Sequence, residues 1–367
     1  MKAVAAFPES KKLEVVEHPA PQLAAPGDVL LRVLEIGLCG TDKEIASFQY
    51  GTPPAGSDHL VIGHESLMEV VEVGPEVKGL APGQLAVMMV RRPCNRPACP
   101  ACRMGRQDFC ITGAFTERGI NGAHGYMTER VVDDQRYVIP LPAELRDIGV
   151  LTEPLTIAEK ALLEVGDVQD RLPWLRTEGR TDHSRLKAVV LGAGPVGLLG
   201  AMALVVRGYD VYVYSLERPP HPKADFVEAI GAHYVCAQDG IEALTRTVGN
   251  IDLVYEATGA ASVAFKVLEV LGTNGMFILT GVPGRKGPIE VEASLIMRNL
   301  VLKNQLVYGT VNAGRDAFEA AVKDLQAFRA RWPKQVASLL TGRYTPEEAP
   351  ELLTGKPSGI KNTIAFG

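Results

Sequence analysis

Apolar runs and polar segments alternate along the second half of the chain in a way that predicts strands separated by helices. Strands are predicted at residues 188–191, 210–214, 251–257, 275–280 and 300–308, and an apolar helix at 195–207. Such alternation with short turns is typical of a doubly wound parallel sheet. Because ligands bind at the carboxyl ends of these strands, the predicted ligand loops contain Thr258, Gly259, Thr280, Val282 and Val311.

The first half contains a polar segment without apolar periodicity, residues 91–110, RRPCNRPACPACRMGRQDFC. A loop of this composition cannot bury a core of its own. Its cysteines follow the spacing C-x4-C-x2-C-x7-C, and four thiolates at such spacing suit a tetrahedral structural zinc. The alternative, four unliganded surface thiols, would be a redox liability. The predicted ligands are Cys94, Cys99, Cys102 and Cys110.

The composition of the chain mainly excludes classes of protein. The 367 residues are 46% hydrophobic and carry a formal net charge of −5, which excludes a disordered chain and argues against nucleic-acid binding. The length suggests roughly two or three domains. No apolar run approaches the ~20 residues of a membrane span, and residues 1–7 show no signal-peptide core. We therefore expect a cytoplasmic protein without a membrane partner, whose cysteines are thiols or metal ligands.

The run LGAGPVGLLG follows the predicted strand 188–191 and opens the helix. Gly192 permits a tight turn, Gly194 lets the backbone approach a pyrophosphate at the helix N-terminus, and Gly197 allows close packing of helix on strand. Pro195 and Val196, between these glycines, belong to the same predicted site. The alternative is an apolar strand–helix unit with chance glycines. The context favours a dinucleotide-binding turn.

The end of the next predicted strand bears on the choice of dinucleotide. NAD-binding turns place an acid directly at this strand end, where this chain has Ser215 and Leu216. Ser215 can hydrogen-bond a 2′-phosphate and Arg218 can pair with it, whereas Glu217 would repel it if it pointed inward. NADP is therefore the preferred cofactor and NAD the second one. The alternative for Arg218 is a solvated loop cation.

A second metal site is predicted from residues far apart in the sequence. Cys39 follows the strand-like run 29–36, His64 lies in GHES, and Glu153 lies in TEPL. Taken singly, the cysteine and the histidine are more typical of buried structural positions. Together, each beside a glycine or proline turn, they indicate a divided zinc site with one open position. Cys236, after HYV, is predicted to be a core residue.

These motifs together resemble the zinc-dependent medium-chain dehydrogenases over essentially the whole chain. The resemblance is carried by GHE at 63–65, the four cysteines, GAGPVG, and the ATG and TGV turns. Within that family, CGTD at 39–42, GAFTERGINGAHGYMTE at 113–129, EPLTIAEKAL at 153–162 and GTVN at 309–312 resemble the glucose 1-dehydrogenase branch, which is best known from archaea.

The resemblance implies an α/β architecture in two domains. Residues 1–153 and 309–367 would form a GroES-like, β-rich catalytic domain with a structural-zinc lobe at 91–112. Residues 154–308 would form a Rossmann domain with a doubly wound parallel sheet, and the polar segment 167–184 would be an exposed connection. A homodimer or homotetramer is implied, with an edge strand at 299–308 as the pairing element.

Site residues follow from the same resemblance. Thr41 would relay the substrate proton, with a turn-capping residue as the alternative, and Glu117 and Asn312 would hold a sugar together with Glu153. A sugar-binding carboxylate of the branch falls on Ile157, and a pocket histidine falls on Leu302 or a neighbour, which weakens the assignment to glucose. The residues that would line the catalytic zinc are Cys39, His64, Glu65 and Glu153.

The function implied is zinc-dependent oxidation of a glucose-like aldose at C1 to the lactone, with hydride transfer to NADP or NAD. One alternative is a dehydrogenase of another polyol or secondary alcohol. A non-enzymatic alternative is a catalytically inactive, NADPH-binding redox sensor.

Overall fold

Strands dominate the first 141 residues in the computed structural model, which describes residues 1–177, 180–181, 183–184, 186–284 and 287–366. Two structural units are distinguished: unit 1 comprises Met1–Thr156 and Asn312–Gly367, and unit 2 comprises Ile157–Val311. Each observed boundary lies three residues beyond the boundary expected from the sequence, 156 against 153 and 311 against 308.

The strands and helices of the described residues are as follows. The strands are β1 (Lys2–Phe7), β2 (Lys12–Glu17), β3 (Asp28–Gly37), β4 (Leu60–Val61), β5 (Glu65–Val73), β6 (Leu85–Met88), β7 (Arg91–Arg92), β8 (Thr116–Arg118), β9 (Gly122–Ala123), β10 (Arg130–Asp134), β11 (Val138–Leu141), β12 (Arg176–Thr177), β13 (Arg180–Thr181), β14 (Lys187–Leu191), β15 (Asp210–Ser215), β16 (His233–Cys236), β17 (Leu253–Glu256), β18 (Met276–Leu279), β19 (Leu306–Gly309), β20 (Leu340–Tyr344) and β21 (Lys361–Ala365). The helices are α1 (Gly40–Ala46), α2 (Pro100–Arg103), α3 (Thr152–Gln169), α4 (Pro195–Val206), α5 (Pro222–Ala229), α6 (Ile241–Val248), α7 (Ala261–Glu269), α8 (Ala293–Leu302), α9 (Arg315–Arg331), α10 (Pro333–Ser338) and α11 (Ala349–Thr354).

Unit 1 is organised around β3, a ten-residue strand rich in Val, Leu and Ile. Such residues favour a pleated surface that is buried. β3 pairs antiparallel with β5, β10 and β21 in a seven-stranded sheet whose main order is β11-β6-β5-β3-β21-β20. Leu31, Val33 and Ile36 of this strand lie in the core with Met68 and Tyr126. A rigid central strand thus places the residues that follow its end.

Unit 2 contains a six-stranded parallel sheet in the order β16-β15-β14-β17-β18-β19. In sequence order this is 3-2-1-4-5-6, the order of a dinucleotide-binding fold with two halves around its first strand. α4 is apolar on all sides, and its residues 197–205 are buried, as expected of a helix packed inside the unit.

The predicted strand at 300–308 is wrong in its first half. The helix α8 continues to Leu302, Asn304 has a left-handed backbone with φ of 51°, and the strand β19 begins only at Leu306. A short apolar run is compatible with either element, so periodicity alone did not separate them. Of the segment 167–184 predicted as an exposed connection, residues 178, 179 and 182 lie outside the described residues.

No helix in the described part of the chain combines the length and the apolar character needed to cross a membrane.

Candidate active site and nucleotide site

Three potential metal ligands of unit 1 converge where β3 ends and β5 begins. Cys39 lies two residues beyond β3, His64 directly precedes β5, and Glu65 is the first residue of β5. The cysteine sulfur, one imidazole nitrogen and one carboxylate oxygen all lie within 4.8 Å of one another. The Sγ atom of Cys39 is 3.2 Å from Nε2 of His64. The structure therefore brings together three of the four residues predicted to line the catalytic zinc.

Gly37 makes room for this convergence. It lies opposite Glu65 in the register of β3 and β5. A Cβ atom at position 37 would lie 2.2 Å from Oε2 of Glu65, far inside van der Waals contact. Any larger residue at the end of β3 would displace the carboxylate from its position.

Asp42, in the first turn of α1, is completely buried beside His64. One of its oxygens accepts a hydrogen bond from the backbone N–H of Cys39 at 3.0 Å, and the other is 3.4 Å from Nδ1 of His64. A carboxylate behind a histidine fixes the ring orientation in which the opposite nitrogen can bind a metal. Burial disfavours the charged forms of both His64 and Asp42. The charges of Cys39 and Asp42 nevertheless raise the pKa of His64 well above its usual value, and the charge of His64 lowers the pKa of Asp42.

Glu65 is accompanied by a buried cation. Lys361, the first residue of β21, is 2% exposed, forms an ion pair with Glu65 and donates a 3.0 Å hydrogen bond to the carbonyl of Leu38. Burial alone would lower the pKa of Lys361, but the charges of Glu65 and Cys39 raise it. The lysine therefore stays charged and fixes the position of the Glu65 carboxylate.

Glu153, the second residue of α3, shares this environment but is not one of the three converging ligands among the described residues. The pKa of Glu153 is raised to about 7, mainly because burial disfavours its charged form; the charge of His64 opposes this shift and the charge of Glu65 adds to it. A cation bound by the cluster would lower the pKa of this carboxyl group again.

Thr41 is half-buried in the first turn of α1. The contact that caps this helix comes from Asp42, which accepts the hydrogen bond of the Cys39 backbone N–H. The N-cap of α1 is Cys39, and both interpretations of Thr41, proton relay and turn residue, stay predictions.

The donor set of the cluster fits zinc. With bonds of roughly 2.0–2.3 Å, neighbouring ligands of a tetrahedral zinc lie about 3.5 Å apart, and the sulfur–nitrogen contact of 3.2 Å is close to that spacing. Metal binding requires Cys39 as a thiolate and His64 as a neutral ring. Cys39, Asp42 and Glu65 would then place three negative charges beside Lys361. A dication would offset this buried excess of negative charge.

The four cysteines of the polar segment also converge. Their sulfur atoms all lie within 4.8 Å of one another, and those of Cys99 and Cys110 are 3.9 Å apart. A tetrahedral zinc with bonds of ~2.3 Å requires sulfur atoms about 3.8 Å apart. The backbone N–H of Cys94 points to the sulfur of Cys102 at 3.5 Å. Four sulfurs would fill the coordination sphere, so this site fits a structural metal.

Glu117 and Asn312, the predicted sugar-binding residues, are in direct contact although they are 195 positions apart. The side-chain amide of Asn312 donates to Oε1 of Glu117 at 3.1 Å. Arg91 donates to the same oxygen from Nε at 3.1 Å and from Nη2 at 3.0 Å. All three hydrogen bonds end on Oε1, so they orient the buried carboxylate in one fixed position.

The glycine-rich turn of unit 2 has the geometry that phosphate binding requires. Gly192 has a φ of +98°, and Gly194 is the N-cap of α4, followed by Pro195 and Val196. A Cβ at Gly197 would lie 2.1 Å from the carbonyl oxygen of Gly192, so helix and turn pack as closely as glycine allows. A Cβ at Gly194 would meet no atom within 4 Å, which leaves open space beside the helix N-terminus.

Glu256, at the end of β17, ties together the two predicted ligand loops. Its buried carboxylate accepts hydrogen bonds from the backbone of Thr258 at 2.6 Å, Gly259 at 2.8 Å and Gly281 at 3.2 Å. The hydroxyl of Thr280 donates to the carbonyl of Glu256 at 2.6 Å. One carboxylate thus sets the shape of both loops.

The remaining predicted cofactor residues are spread along the strand ends. Ser215 is the buried last residue of β15, and Leu216 beside it is 67% exposed. Arg218 is exposed and paired with Asp239 at 2.7 Å. Val282 and Val311 are exposed, and the carbonyl of Val311 accepts a hydrogen bond from Lys160.

Comparison with known proteins agrees with this geometry. The family model described as "Glucose dehydrogenase C-terminus" matches residues 146–366, and the one described as "Alcohol dehydrogenase GroES-like domain" matches residues 25–143. The glucose 1-dehydrogenase of Methanocella arvoryzae is 37% identical over all of both chains. That of Thermoproteus tenax is 42% identical over 87% of this chain and 85% of its own.

The chain belongs to the glucose dehydrogenase branch of the zinc-dependent medium-chain dehydrogenases.

Among solved structures, the glucose dehydrogenase of Haloferax mediterranei in complex with NADP, Zn and gluconolactone is 33% identical, with a TM-score of 0.87 over 100% of this chain and 99% of its own. The predicted family, and the predicted fold class of a GroES-like domain plus a Rossmann domain, are confirmed.

In the present chain, sequence reasoning missed several polar residues that contact the candidate site residues. Asp42 was within reach of prediction, because it lies three residues after Cys39 in the first turn of a helix. Lys361, Arg91 and Glu256 meet their partners only through tertiary structure. No local spacing marks them as parts of a site.

Proposed function

We propose that this protein oxidises a glucose-like aldose at C1 to the lactone and transfers the hydride to NADP, with NAD as a second cofactor. The observation that carries the proposal is the sulfur–imidazole–carboxylate group of Cys39, His64 and Glu65 in unit 1. The likeness to an enzyme solved with NADP, Zn and gluconolactone supports the choice of sugar and cofactor.

Cys39, His64, Glu65 and Glu153 are proposed to hold the catalytic zinc, and Cys94, Cys99, Cys102 and Cys110 the structural zinc. When bound, the catalytic zinc supplies Lewis acidity that lowers the pKa of the C1 hydroxyl, and the nicotinamide supplies the hydride acceptor.

The side chains of unit 1 have separate tasks in this proposal. Glu117 and Asn312 bind sugar hydroxyls and so orient C1, because a carboxylate fixed by Arg91 discriminates strongly between hydroxyl patterns. Thr41 accepts the hydroxyl proton and passes it outward, since a hydroxyl group can both accept and donate. Asp42 keeps Nε2 of His64 directed at the metal position.

In unit 2 the glycine-rich turn is proposed to bind the pyrophosphate. A cavity of about 300 Å³, lined mainly by apolar side chains that include Leu216, Val263 and Val267, lies beside the end of β15. An apolar cavity at this end of a dinucleotide fold suits an adenine ring.

An alternative is favoured by Ile157 and by Leu302 or a neighbour, the positions on which, by the resemblance, polar sugar-binding groups of this branch fall. Leu302 ends α8 and is 65% exposed. With fewer polar partners for hydroxyls, the enzyme could act on another polyol or on a secondary alcohol.

Initial rates for aldoses, acyclic polyols and secondary alcohols, each with NADP and NAD, test the proposal. We expect aldoses to be the fastest substrates, and we expect a chelator to abolish turnover and added zinc to restore it. A polyol or secondary alcohol oxidised faster than every aldose would overturn the assignment to aldoses. NADPH binding without turnover of any compound would favour the inactive redox sensor.

We further propose that the protein is a homodimer or homotetramer built through β19, the edge strand of the parallel sheet. Leu306 and Val307 of this strand are partly exposed, and Val301 and Leu302 just before it are strongly exposed. An apolar edge with unpaired backbone groups favours pairing with a second copy.

Light scattering coupled to size exclusion is expected to give two or four times the mass of one chain. Val307→Lys should lower that mass, because edge lysines oppose strand pairing. A monomeric native protein, or an unchanged mass for the variant, would contradict pairing through β19.

A further inference from the structure

The carboxylate of Glu217 is linked to the glycine-rich turn through the hydroxyl of Ser215. Although Glu217 is two residues beyond β15, Ser215 donates a hydrogen bond to its Oε2 at 2.7 Å. The same hydroxyl accepts a hydrogen bond from the backbone N–H of Ala193 at 3.3 Å. Glu217 therefore occupies the region in which a dinucleotide fold holds the adenosine ribose, a position normally filled by an acid directly at the strand end.

Lys223 neutralises this carboxylate. It lies in the first turn of α5 and forms an ion pair with Oε1 of Glu217. Both side chains are about one quarter exposed, at 25% and 28%, so either can reach solvent or a ligand. The hydroxyl of Tyr234 donates to the backbone carbonyl of Glu217 at 2.6 Å and holds the loop in place.

Arg218, the residue after Glu217, forms a second ion pair. Arg218 pairs with Asp239 at 2.7 Å, and both are about half exposed. The two cations at this strand end are thus each matched by one carboxylate, and the four formal charges sum to zero. A 2′-phosphate carries a charge of roughly −1.5 to −2. It binds well only where an ion pair opens, so that the cation contacts the phosphate instead of a carboxylate. A 2′-hydroxyl needs only an acceptor.

We propose that the Glu217–Lys223 ion pair is a selector for the dinucleotide, so that one site accepts both NAD(H) and NADP(H). With the pair closed, Glu217 accepts hydrogen bonds from the ribose hydroxyls of NAD(H). With the pair open, Glu217 turns toward solvent, and Lys223, Arg218 and Ser215 bind the 2′-phosphate. This inference rests on the proposed nucleotide site and adds Glu217 and Lys223 as its specificity-determining residues.

The selector is tested by fluorescence titration of the full-length protein with NADPH and with NADH, which requires no turnover. Lys223→Met should weaken NADPH binding at least about tenfold and change NADH binding less than about threefold, because only the phosphate needs the cation. Glu217→Gln should tighten NADPH and weaken NADH, and so move their affinity ratio in the opposite direction. Lys223→Met should also reduce the salt dependence of NADPH binding.

Lys12→Met is the matched control. Lys12 belongs to an exposed ion pair with Glu14 in unit 1 and should leave both affinities unchanged. Equal changes of NADPH and NADH affinity in Lys223→Met and in Glu217→Gln would overturn the selector and leave the nucleotide site standing. Absence of NADPH and NADH binding in the native protein would instead refute the proposed cofactor site. Should Lys223→Met fail to fold, Glu217→Gln alone still decides by the direction of the ratio.

Discussion

Replacing Cys39 by alanine is expected to lower kcat/KM by at least about 10³-fold while the protein stays folded. Cys39 supplies the sulfur of the converging cluster, 3.2 Å from Nε2 of His64. Without it, the imidazole and the carboxylates form an incomplete donor set, and zinc should be lost from this site alone. Initial rates with the best aldose, zinc content by atomic absorption, and thermal unfolding together measure the three parts of this expectation.

Cys236→Ala is the control for that variant. Cys236 is buried, lies in β16 of unit 2, and is outside both clusters of described ligands. The Cys236→Ala variant should keep the zinc content and most of the activity of the native protein. Normal turnover and full zinc content in Cys39→Ala would remove Cys39 from the proposed metal site.

The opposite outcome is expected for Cys99→Ala, whose main effect should be on stability. Cys99 is fully buried and belongs to the four-sulfur cluster of the lobe between β7 and β8. Because a structural zinc contributes folding free energy directly, its loss should cost several kcal/mol and lower Tm by about 10 °C. Differential scanning calorimetry measures the shift, and kcat at a temperature below the transition should fall far less than in Cys39→Ala.

Cys236→Ala again provides the matched comparison, because it removes a buried sulfur that no metal would bind. Its cost should be about 1 kcal/mol. If Cys99→Ala and Cys236→Ala unfold at the same temperature and bind the same amount of zinc, the four-cysteine cluster is not a structural metal site.

The parts of this protein that could be predicted from sequence are those encoded locally. The cysteine spacing and the glycine-rich turn each lie within a short segment, and each segment carries its own physical requirement. The turns beside Cys39, His64 and Glu153 indicated a divided metal site. Glu65 was added to it only through the resemblance to a family, because the register of β3 and β5 that brings Glu65 to this position is not a local property.

Other parts depended on competition between local preferences. Residues 300–302 are apolar enough for a strand, yet they complete α8, and Asn304 turns the chain before β19 begins. Glu217 was expected to repel a 2′-phosphate if its side chain pointed inward. The direction of that side chain is set by its contacts with Lys223 and Ser215. Side-chain direction in a loop is a tertiary property, so spacing could not supply it.

The ion pair between Glu65 and Lys361 can form only late in the synthesis of the chain. The hydrogen bond from the same lysine to Leu38 spans 323 positions, and all of unit 2 is synthesised between the two partners. At ~5–20 residues per second, the ribosome needs roughly 15–65 s to deliver Lys361 after Leu38. During that interval β3 lacks its neighbour β21, and Glu65 lacks its lysine. Completion of this centre therefore belongs to the end of biosynthesis, after the nucleotide-binding unit has emerged.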